Sequence, residues 1–256
     1  MSVSPQLVVT ALPGVPRVRV GDDLAALTAA GLARAGIVAR SGDVVVLAQK
    51  IVSKAQGRTV ALASVTPSPR AQELAAAVEK DPRLVELILS ESAEIVRARP
   101  GVLIVRHRLG VVLANAGIDQ SNVDHSAGES VLLWPVDPDS SAAELRDMLQ
   151  MRLSVQVAVL IIDSVGRAWR NGTVGQCIGA SGLPTLLDLR GTPDMYGRSL
   201  RTSEVGLADE LAAAASLMMG QAGEATPIVH LRGVPYGRRE GSARELMRAR
   251  EMDLFP

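Results

Sequence analysis

Short apolar runs alternate with segments of helical spacing along this chain, and the pattern predicts a mixed α/β fold. The runs are rich in Val, Ile and Leu and bounded by turn residues, as in buried strands. Strands are predicted at residues 7–11, 44–48, 102–105, 111–114, 131–136, 155–162, 183–189, 200–205 and 228–231. Helices are predicted at residues 24–35, 70–79, 82–99, 141–152, 207–219 and 242–252.

Local signals set several of the predicted helix ends. Asp81 and Pro82 match an N-cap and a first helical residue. Ser141 and Ser242 each open a capping box, with Glu three residues later. Gly220 is a stop for the helix before it. Neither a repeat nor a low-complexity linker divides the chain, so we treat residues 1–256 as one region.

Composition narrows the class of protein. The chain carries 27 basic and 27 acidic residues, a balance that argues against a general nucleic-acid-binding surface. Its single cysteine, Cys177, excludes an internal disulfide framework and fits a reducing compartment. The N-terminus lacks a secretory pattern, and the apolar runs are too short to span a bilayer. We therefore expect a cytoplasmic protein that contacts neither nucleic acid nor membrane.

Several familiar kinds of site are absent from the sequence. It contains neither a P-loop motif nor a glycine-rich dinucleotide motif after a strand, and it lacks the nucleophile elbow of hydrolases. His107, His125 and His230 lack metal-ligand spacing, which favours structural or surface roles. Cys177 has no activating base beside it and is interpreted as a core thiol.

The first candidate site follows the apolar run 155–162. We predict that residues 163–172 form a polar loop at the end of this strand, with Asp163, Ser164, Arg167 and Arg170 able to bind metal and phosphate. A solvated loop with a cap and two surface arginines is the alternative.

A second candidate lies in the loop 115–123, which is dense in oxygen ligands. Asp119 and Asn122 are three residues apart and could face one ligand, or they could bond only to local backbone as an Asx turn. Lys50 and Lys54, just past another strand, could reach phosphate or be ordinary surface lysines.

Taken together, these candidates form an oxygen-rich set without thiolate or histidine. The set comprises Asp119, Asn122, Asp163, Ser164 and either Gln221 or Glu224. Such donors favour a hard cation, Mg²⁺ or Mn²⁺, which usually binds together with phosphates.

Four stretches, in order along the chain, resemble the coenzyme F420:L-glutamate ligase family. They are AGIDQSNV at 116–123, LLWPVDPDSSA at 132–142, DSVGRAWRNG at 163–172 and LADELAAAASLMMGQ at 207–221. The likeness extends from LPGV at 12–15 to MDLF at 252–255. It covers the ligase half of longer relatives that continue into a nitroreductase-like domain.

The resemblance implies a fold of mixed sheets flanked by helices, distinct from P-loop and ATP-grasp enzymes, and a homodimer. It implies that L-glutamate is joined to F420-0, followed by further γ-linked glutamates, with GTP as co-substrate and GDP and phosphate released. Two divalent cations are expected, with a monovalent cation such as K⁺ as an optional addition.

The resemblance also implies roles for individual residues. Asp119 and Asp163 match the carboxylates that bind the first divalent metal, Ser164 matches a ligand of the second, and Gln221 is a looser metal assignment. Arg167 and Arg170 are assigned to phosphate or acidic substrate. The residues that match nucleotide contacts are Leu12, Pro13, Gly14, Val15, Gln49, Lys54, Asn122, Gly220, Gln221, Gly223 and Thr226.

From these roles we expect γ-phosphoryl transfer to form an acyl phosphate, which the amine of glutamate then attacks. Two other functions stay open. One is a carboxylate–amine ligase with another acceptor, and the other is a module that binds nucleotide or F420 without chemistry.

Overall fold

A computed structural model describes residues 5–126, 128–237 and 239–253. The strands are β1 (Val8–Ala11), β2 (Val44–Ala48), β3 (Thr59–Ala61), β4 (Ser92–Arg99), β5 (Val102–His107), β6 (Val112–Ala114), β7 (Ser130–Leu132), β8 (Ala158–Arg167), β9 (Arg170–Ser181), β10 (Leu187–Asp188), β11 (Glu204–Val205) and β12 (Ile228–Arg232). The helices are α1 (Leu24–Arg34), α2 (Gln49–Ala55), α3 (Pro69–Val78), α4 (Pro82–Ser90), α5 (Pro138–Leu153) and α6 (Leu207–Met219).

A five-stranded mixed sheet in the order β1-β12-β2-β8-β9 organises the core. Strands β2 and β8 are parallel, and the other neighbouring pairs are antiparallel. One face of the sheet packs on a cluster that includes residues of α1 and α5, and the other face packs on α6. Helices on both faces of a mixed sheet confirm the predicted α/β class.

Smaller sheets complete the described chain. Strands β4, β5 and β6 form an antiparallel sheet that shares an apolar cluster with α3 and α4. Two-stranded pairs join β3 to β7 and β10 to β11. The described ranges contain no helix long and apolar enough to cross a membrane.

The best-signalled elements are confirmed. Asp23 caps α1 by accepting a bond from the Ala26 N–H, and Asp81 caps α4 by accepting one from the Arg83 N–H. Helix α6 ends at Met219 before Gly220, as predicted. Cys177 is buried, as expected of a core thiol. His107 and His230 are buried too, and His125 is exposed.

The predicted helix 82–99 is wrong in its second half. Helix α4 ends at Ser90, and the chain continues as strand β4, which pairs with β5 through the turn at 100–101. The partner strand β5 follows directly along the chain. The helical spacing of Leu84, Leu87, Ile88 and Ile95 nevertheless favoured one long helix in the sequence. Ile95 packs against the α3–α4 cluster from the strand instead.

The predicted polar loop 163–172 is also wrong. Residues 163–167 continue β8, and residues 170–172 begin β9, so most of this segment is a hairpin closed at Ala168 and Trp169. Trp169 takes a positive φ of 64°, which the tight turn requires. Polar side chains project from the exposed end of this ribbon, which made the sequence look like a loop.

Other element bounds differ from the predictions. Helix α5 begins at Pro138 under an Asp137 cap, because the Asp137 carboxylate accepts the Ser140 N–H. The strand predicted at 131–136 is only β7, and those predicted at 183–189 and 200–205 shrink to β10 and β11. Helix α2 and strand β3 were not predicted.

The last predicted helix, 242–252, is two short 3-10 turns, Ala243–Leu246 and Arg250–Met252. The Ser242 side chain makes no capping bond, and the Ala243 N–H instead donates to the Asp139 carboxylate at the start of α5.

Candidate functional site

One edge of the central sheet gathers most of the predicted site residues. Because β1, β2 and β8 run in the same direction, their carboxyl ends share this edge with the start of β12. Two backbone hydrogen bonds join the segments at this edge. The Leu12 N–H donates to the Ile228 carbonyl and the Ala48 N–H donates to the Pro227 carbonyl, both at 2.9 Å. Segments 12–15, 49–54, 163–164 and 220–226 therefore lie side by side.

Asp119 reaches this edge from a different part of the chain. It follows the Asn115–Gly117 turn, and two backbone bonds pair it with Leu132, which fixes its main chain. Its carboxylate lies 2.6 Å from the Lys50 ammonium and accepts a 2.7 Å bond from the Gln49 amide. Helix α2 thus supplies a cation and a donor to the same acid.

Asp163 stands beside Asp119 near the carboxyl end of the parallel-paired part of β8. One of its oxygens accepts the Trp134 indole N–H at 2.9 Å, and the other accepts the Ser164 N–H at 2.8 Å. Burial, together with the nearby charge of Asp119, raises the pKa of Asp163 to about 6 against the effect of these two donors. The structure therefore brings together the two carboxylates that the sequence placed 44 residues apart.

Trp134 is fixed in place by its surroundings. It is fully buried, its carbonyl accepts a 2.9 Å bond from Arg58, and its ring lies 4.9 Å from that of His107. Gly117 has no side chain where the indole passes, and a Cβ there would lie 2.5 Å from the indole nitrogen. The orientation of Asp163 therefore depends on a packed aromatic ring.

Cations border the two carboxylates. The Lys54 ammonium donates to the Asn122 carbonyl at 2.7 Å, and the Lys50 ammonium donates to Ser121 at 3.4 Å. Burial lowers the pKa of Lys54, and the neighbouring charges of Lys50 and Arg17 lower it further. These three cations surround the loop that carries Asn122, a charge pattern that suits a polyphosphate.

The segment 220–226 lies against the loop that carries Asn122. The Asn122 amide donates to the Ala222 carbonyl at 3.2 Å, and the Thr226 hydroxyl donates to the end of α6. Gly220 takes a positive φ of 72° where α6 turns into the segment. Gln221 and Gly223 are exposed within it, and in the described part of the chain neither forms a hydrogen bond with Asp119 or Asp163.

The 12–15 turn is built on the end of β1. Leu12 is fully buried, and Gly14 takes a positive φ of 71°. The Arg34 guanidinium donates to the Pro13 and Gly14 carbonyls at 3.2 and 3.1 Å, so α1 holds the turn from below. Pro13 and Val15 are the other two residues of this turn; Pro13 is exposed and Val15 is partly buried.

Ser164 and Asp163 face opposite sides of the sheet. Successive side chains of a strand alternate, and the neighbours Val159 and Ile161 join the α1–α5 cluster whereas Leu160 and Ile162 join the α6 cluster. Asp163 thus shares the side of Trp134, and Ser164 shares the side of α6. One small ion could not easily contact both side chains.

Arg167 and Arg170 lie apart from the cluster. They oppose each other near the tip of the β8–β9 hairpin, both exposed, and no hydrogen bond links either to Asp119 or Asp163 within the described residues. Gln49 is buried, and both ends of its amide are engaged, by Asp119 and by the Ser53 hydroxyl at 2.9 Å.

Sequence reasoning missed Trp134 and Arg17 altogether, and it gave Lys50 no partner. The only signal for Trp134 was a large aromatic residue before a proline in an apolar run. Lys50 and Lys54 were noticed because they follow a strand, and their spacing on α2 explains why both point toward the same loop.

Comparisons with known proteins identify the family of this chain. A family model described as F420-0:Gamma-glutamyl ligase matches residues 14–233. The chain is 46% identical to the coenzyme F420:L-glutamate ligase of Methanothermobacter thermautotrophicus over 94% of this chain and 96% of that protein. It is 45% identical to the protein of the same name from Methanopyrus kandleri, over 98% of each. It is 40% identical to that of Archaeoglobus fulgidus, over 94% of this chain and 93% of the relative. These matches span nearly the whole sequence, and the chain belongs to the F420-0:gamma-glutamyl ligase family.

Proposed function

We propose that this chain joins L-glutamate to coenzyme F420-0, adds further γ-linked glutamates, and uses GTP as the phosphoryl donor. The observation that carries the proposal is the meeting of the Asp119 and Asp163 carboxylates at a sheet edge bordered by Lys50 and Lys54. The names of its relatives support the choice of F420-0 and glutamate.

The donor set fits divalent cations that are bound jointly with phosphates. Among the described residues, no three His, Cys, Asp or Glu side chains cluster as a self-sufficient metal site. Mg²⁺ typically takes one or two carboxylates and completes its shell with water and substrate phosphate oxygens. Asp119 and Asp163 supply that number for a first ion. Ser164, on the other side of the sheet, and Gln221, in the segment after α6, would supply a second.

Lys50 is bonded to the acid that would hold the first ion. In the structure its ammonium occupies one oxygen of Asp119, as a cation would. Binding of a divalent ion would release Lys50 toward the phosphates, where Lys54 and Arg17 already contribute positive charge. Asn122 and the 12–15 turn would hold the rest of the nucleotide.

The reaction follows from the weakness of a carboxylate as an electrophile. Transfer of the γ-phosphoryl group of GTP to the acceptor carboxylate gives an acyl phosphate and GDP. The glutamate amine then attacks the acyl carbon, the C–O bond to phosphate breaks, and an amide forms as the ammonium proton leaves. Bound divalent cations would offset the charge of the β- and γ-phosphates.

Arg167 and Arg170, at the exposed hairpin, are proposed to attract the acidic substrate. The homodimer, the cytoplasmic location and the optional K⁺ stay predictions.

The test is phosphate release by the purified chain with GTP, Mn²⁺, glutamate and F420-0, with the product identified by mass spectrometry. We expect release to require all four components. Asp163→Ala and the isosteric Asp163→Asn should abolish it, and the matched exposed variant Asp147→Ala should not.

Near-normal turnover in Asp163→Asn would refute the metal role of this residue. Phosphate release with an acceptor other than F420-0 would identify a different carboxylate–amine ligase. Retained nucleotide binding without any product would identify a binding module.

A further inference from the structure

A separate cavity of about 430 Å³ opens at the opposite end of the central sheet. Its walls come from the segments that precede β2 and β8 and from those that follow β9 and β12, and they include Gly42, Arg146, Gln156, Gly182, Tyr236 and Glu240. Five residues of β8 separate this end from Asp163, roughly 17 Å at the usual rise of a strand. The cavity is therefore distinct from the proposed nucleotide site, and its volume is that of a small-molecule site.

A carboxylate already occupies the cavity wall. One oxygen of Glu240 accepts a 2.6 Å bond from the Arg146 guanidinium, and the other accepts a 3.1 Å bond from the Gly182 N–H. The guanidinium also donates to the Ser181 hydroxyl at 3.2 Å. The Arg146 guanidinium and the Gly182 backbone amide therefore form a carboxylate-binding seat, and the Ser181 hydroxyl holds the guanidinium in place.

Glu240 is an incomplete occupant of this seat. It bonds to only one nitrogen of Arg146, and the enclosed Nε of the same guanidinium has no hydrogen-bond partner in the described part of the chain. A buried donor without an acceptor is unfavourable. The Glu240 side chain is 65% exposed and belongs to a segment without helix or strand, whereas the Arg146 side chain is only 21% exposed on helix α5. The cation is therefore anchored on a helix, whereas its acid is exposed on an irregular segment.

The other cation of the cavity has its own partners. The Arg239 guanidinium is held by both oxygens of Glu245, at 2.8 and 2.7 Å, and by the Leu186 carbonyl. If Glu240 moved away, Arg146 would be the guanidinium in the cavity wall left without an acidic partner among the described residues. The positive charge of the emptied seat would then attract an external carboxylate.

We infer that this cavity binds the carboxylate of a small organic acid, with Arg146 and the Gly182 N–H as the seat and Glu240 as an internal occupant that the ligand displaces. The site does not depend on the proposed ligase chemistry. Its ligand carries a carboxylate because a carboxylate is what the seat holds in the structure.

The test is calorimetric titration of the full chain with glutarate, a dicarboxylate that lacks an amine and so cannot be the amine substrate. Glu240→Ala removes the internal competitor and should bind glutarate about fivefold more tightly than the parent chain, the factor expected for loss of an exposed ion pair. Adding Arg146→Met to that variant should abolish binding.

Two matched variants in the Glu240→Ala background show whether glutarate binds at this cavity and not elsewhere. Arg152→Met, on the same helix but outside the cavity, should leave glutarate binding unchanged. Lys54→Met, at the proposed nucleotide site, should do the same. Binding that survives Arg146→Met, or is lost with Lys54→Met, would overturn the proposal, as would equal affinities of Glu240→Ala and the parent chain.

A second measurement covers the case in which Arg146→Met fails to fold. In the Glu240→Ala chain, glutarate should shift the amide resonance of Gly182 in a ¹H–¹⁵N spectrum. An unmoved Gly182 resonance at saturating glutarate would reject the seat without any change to Arg146.

Discussion

Asp163 has a neutral N–H donor on each of its oxygens, the Trp134 indole on one and its neighbour's backbone amide on the other. The two bonds fix the rotamer of the acid and leave each oxygen with a further lone pair for a ligand. The indole is itself held in place by Gly117 and Arg58. The orientation of the Asp163 carboxylate therefore depends on residues that would not bind the metal themselves. Loss of such a partner typically lowers metal affinity by about 10- to 100-fold.

Replacing Trp134 with Phe should therefore weaken metal binding. A smaller aromatic ring remains but the N–H donor is lost, and we expect the affinity for Mn²⁺ in the presence of GTP to fall by about tenfold. Electron paramagnetic resonance of free Mn²⁺ measures this directly.

Trp169→Phe is the control for that variant, because Trp169 is 88% exposed at the hairpin turn and should bind Mn²⁺ like the parent chain. Unchanged Mn²⁺ affinity in Trp134→Phe would show that the indole does not position the acid.

The raised pKa of Asp163 predicts how stability depends on pH in the metal-free chain. The folded-state pKa of about 6 lies above the usual 3.8, so the folded chain binds an extra proton between these values. The free energy of unfolding should gain about 2 kcal/mol from this group as the pH falls from 7 to 4. Asp163→Asn, which cannot titrate, should lack this gain in urea titrations with a chelator present. Parallel pH profiles for the two chains would contradict the shift.

For individual residues, the sequence predicted which side chains belong to the site better than it predicted their hydrogen-bond partners. Asp119 and Asp163 stood out because carboxylates near apolar strands suggest a site. The donors Trp134 and Gln49 could not be anticipated, since each contact joins residues 29 or 70 positions apart and depends on the packed sheet.

Among the elements, the β8–β9 hairpin depends on small residues where helices cross it. A Cβ on Gly175 would lie 2.7 Å from the Ser216 side chain and would also meet the Ala212 backbone, both on α6. Strand β9 therefore lies closer to this helix than any larger side chain would permit.

Gly175→Ala should destabilise the chain by about 3 kcal/mol, because α6 or the strand must shift to admit the methyl group. Gly166→Ala is the matched control in the partner strand, since a Cβ there meets nothing within 4 Å. Thermal unfolding of both variants gives the comparison. Equal melting temperatures of the two variants would mean that α6 moves to admit the methyl group at no measurable cost in stability.

Elements with strong local signals were predictable, and strands whose identity depends on pairing with a neighbouring strand were not. The caps Asp23 and Asp81 act within one helical turn, so their helices begin where the sequence indicates. Strand β4 was predicted as helix because its spacing also suits one, and only the neighbouring strand decides between the two. The 163–172 ribbon was predicted as a loop because its exposed end carries polar side chains, and its pairing could not be read from them.

For the molecule as a whole, the proposed nucleotide site links β1, β2, β8 and β12 through their shared edge. A ligand that binds only the folded chain stabilises it by RT ln(1 + L/Kd), where L is the free ligand concentration, so the gain grows with the logarithm of that concentration. GTP with Mg²⁺ at a hundredfold excess over the dissociation constant should raise the free energy of unfolding by about 2.7 kcal/mol. A melting curve records the shift.

Lys54→Met should reduce that stabilisation, because one phosphate-binding cation is removed, whereas the exposed variant Arg152→Met should keep it. A full shift in Lys54→Met would exclude this lysine from nucleotide binding.

The α/β class followed from the alternation of strands and helices, but the strand order did not. In the central sheet β12 lies between β1 and β2, although it is the last strand of the described chain. The sheet consequently has a gap beside its first strand until residue 232 is available. A polypeptide still emerging from the ribosome can have made both aspartates and all the lysines of the site and yet hold them on an unclosed scaffold. Nucleotide capture should therefore begin only after residue 232 has left the ribosome.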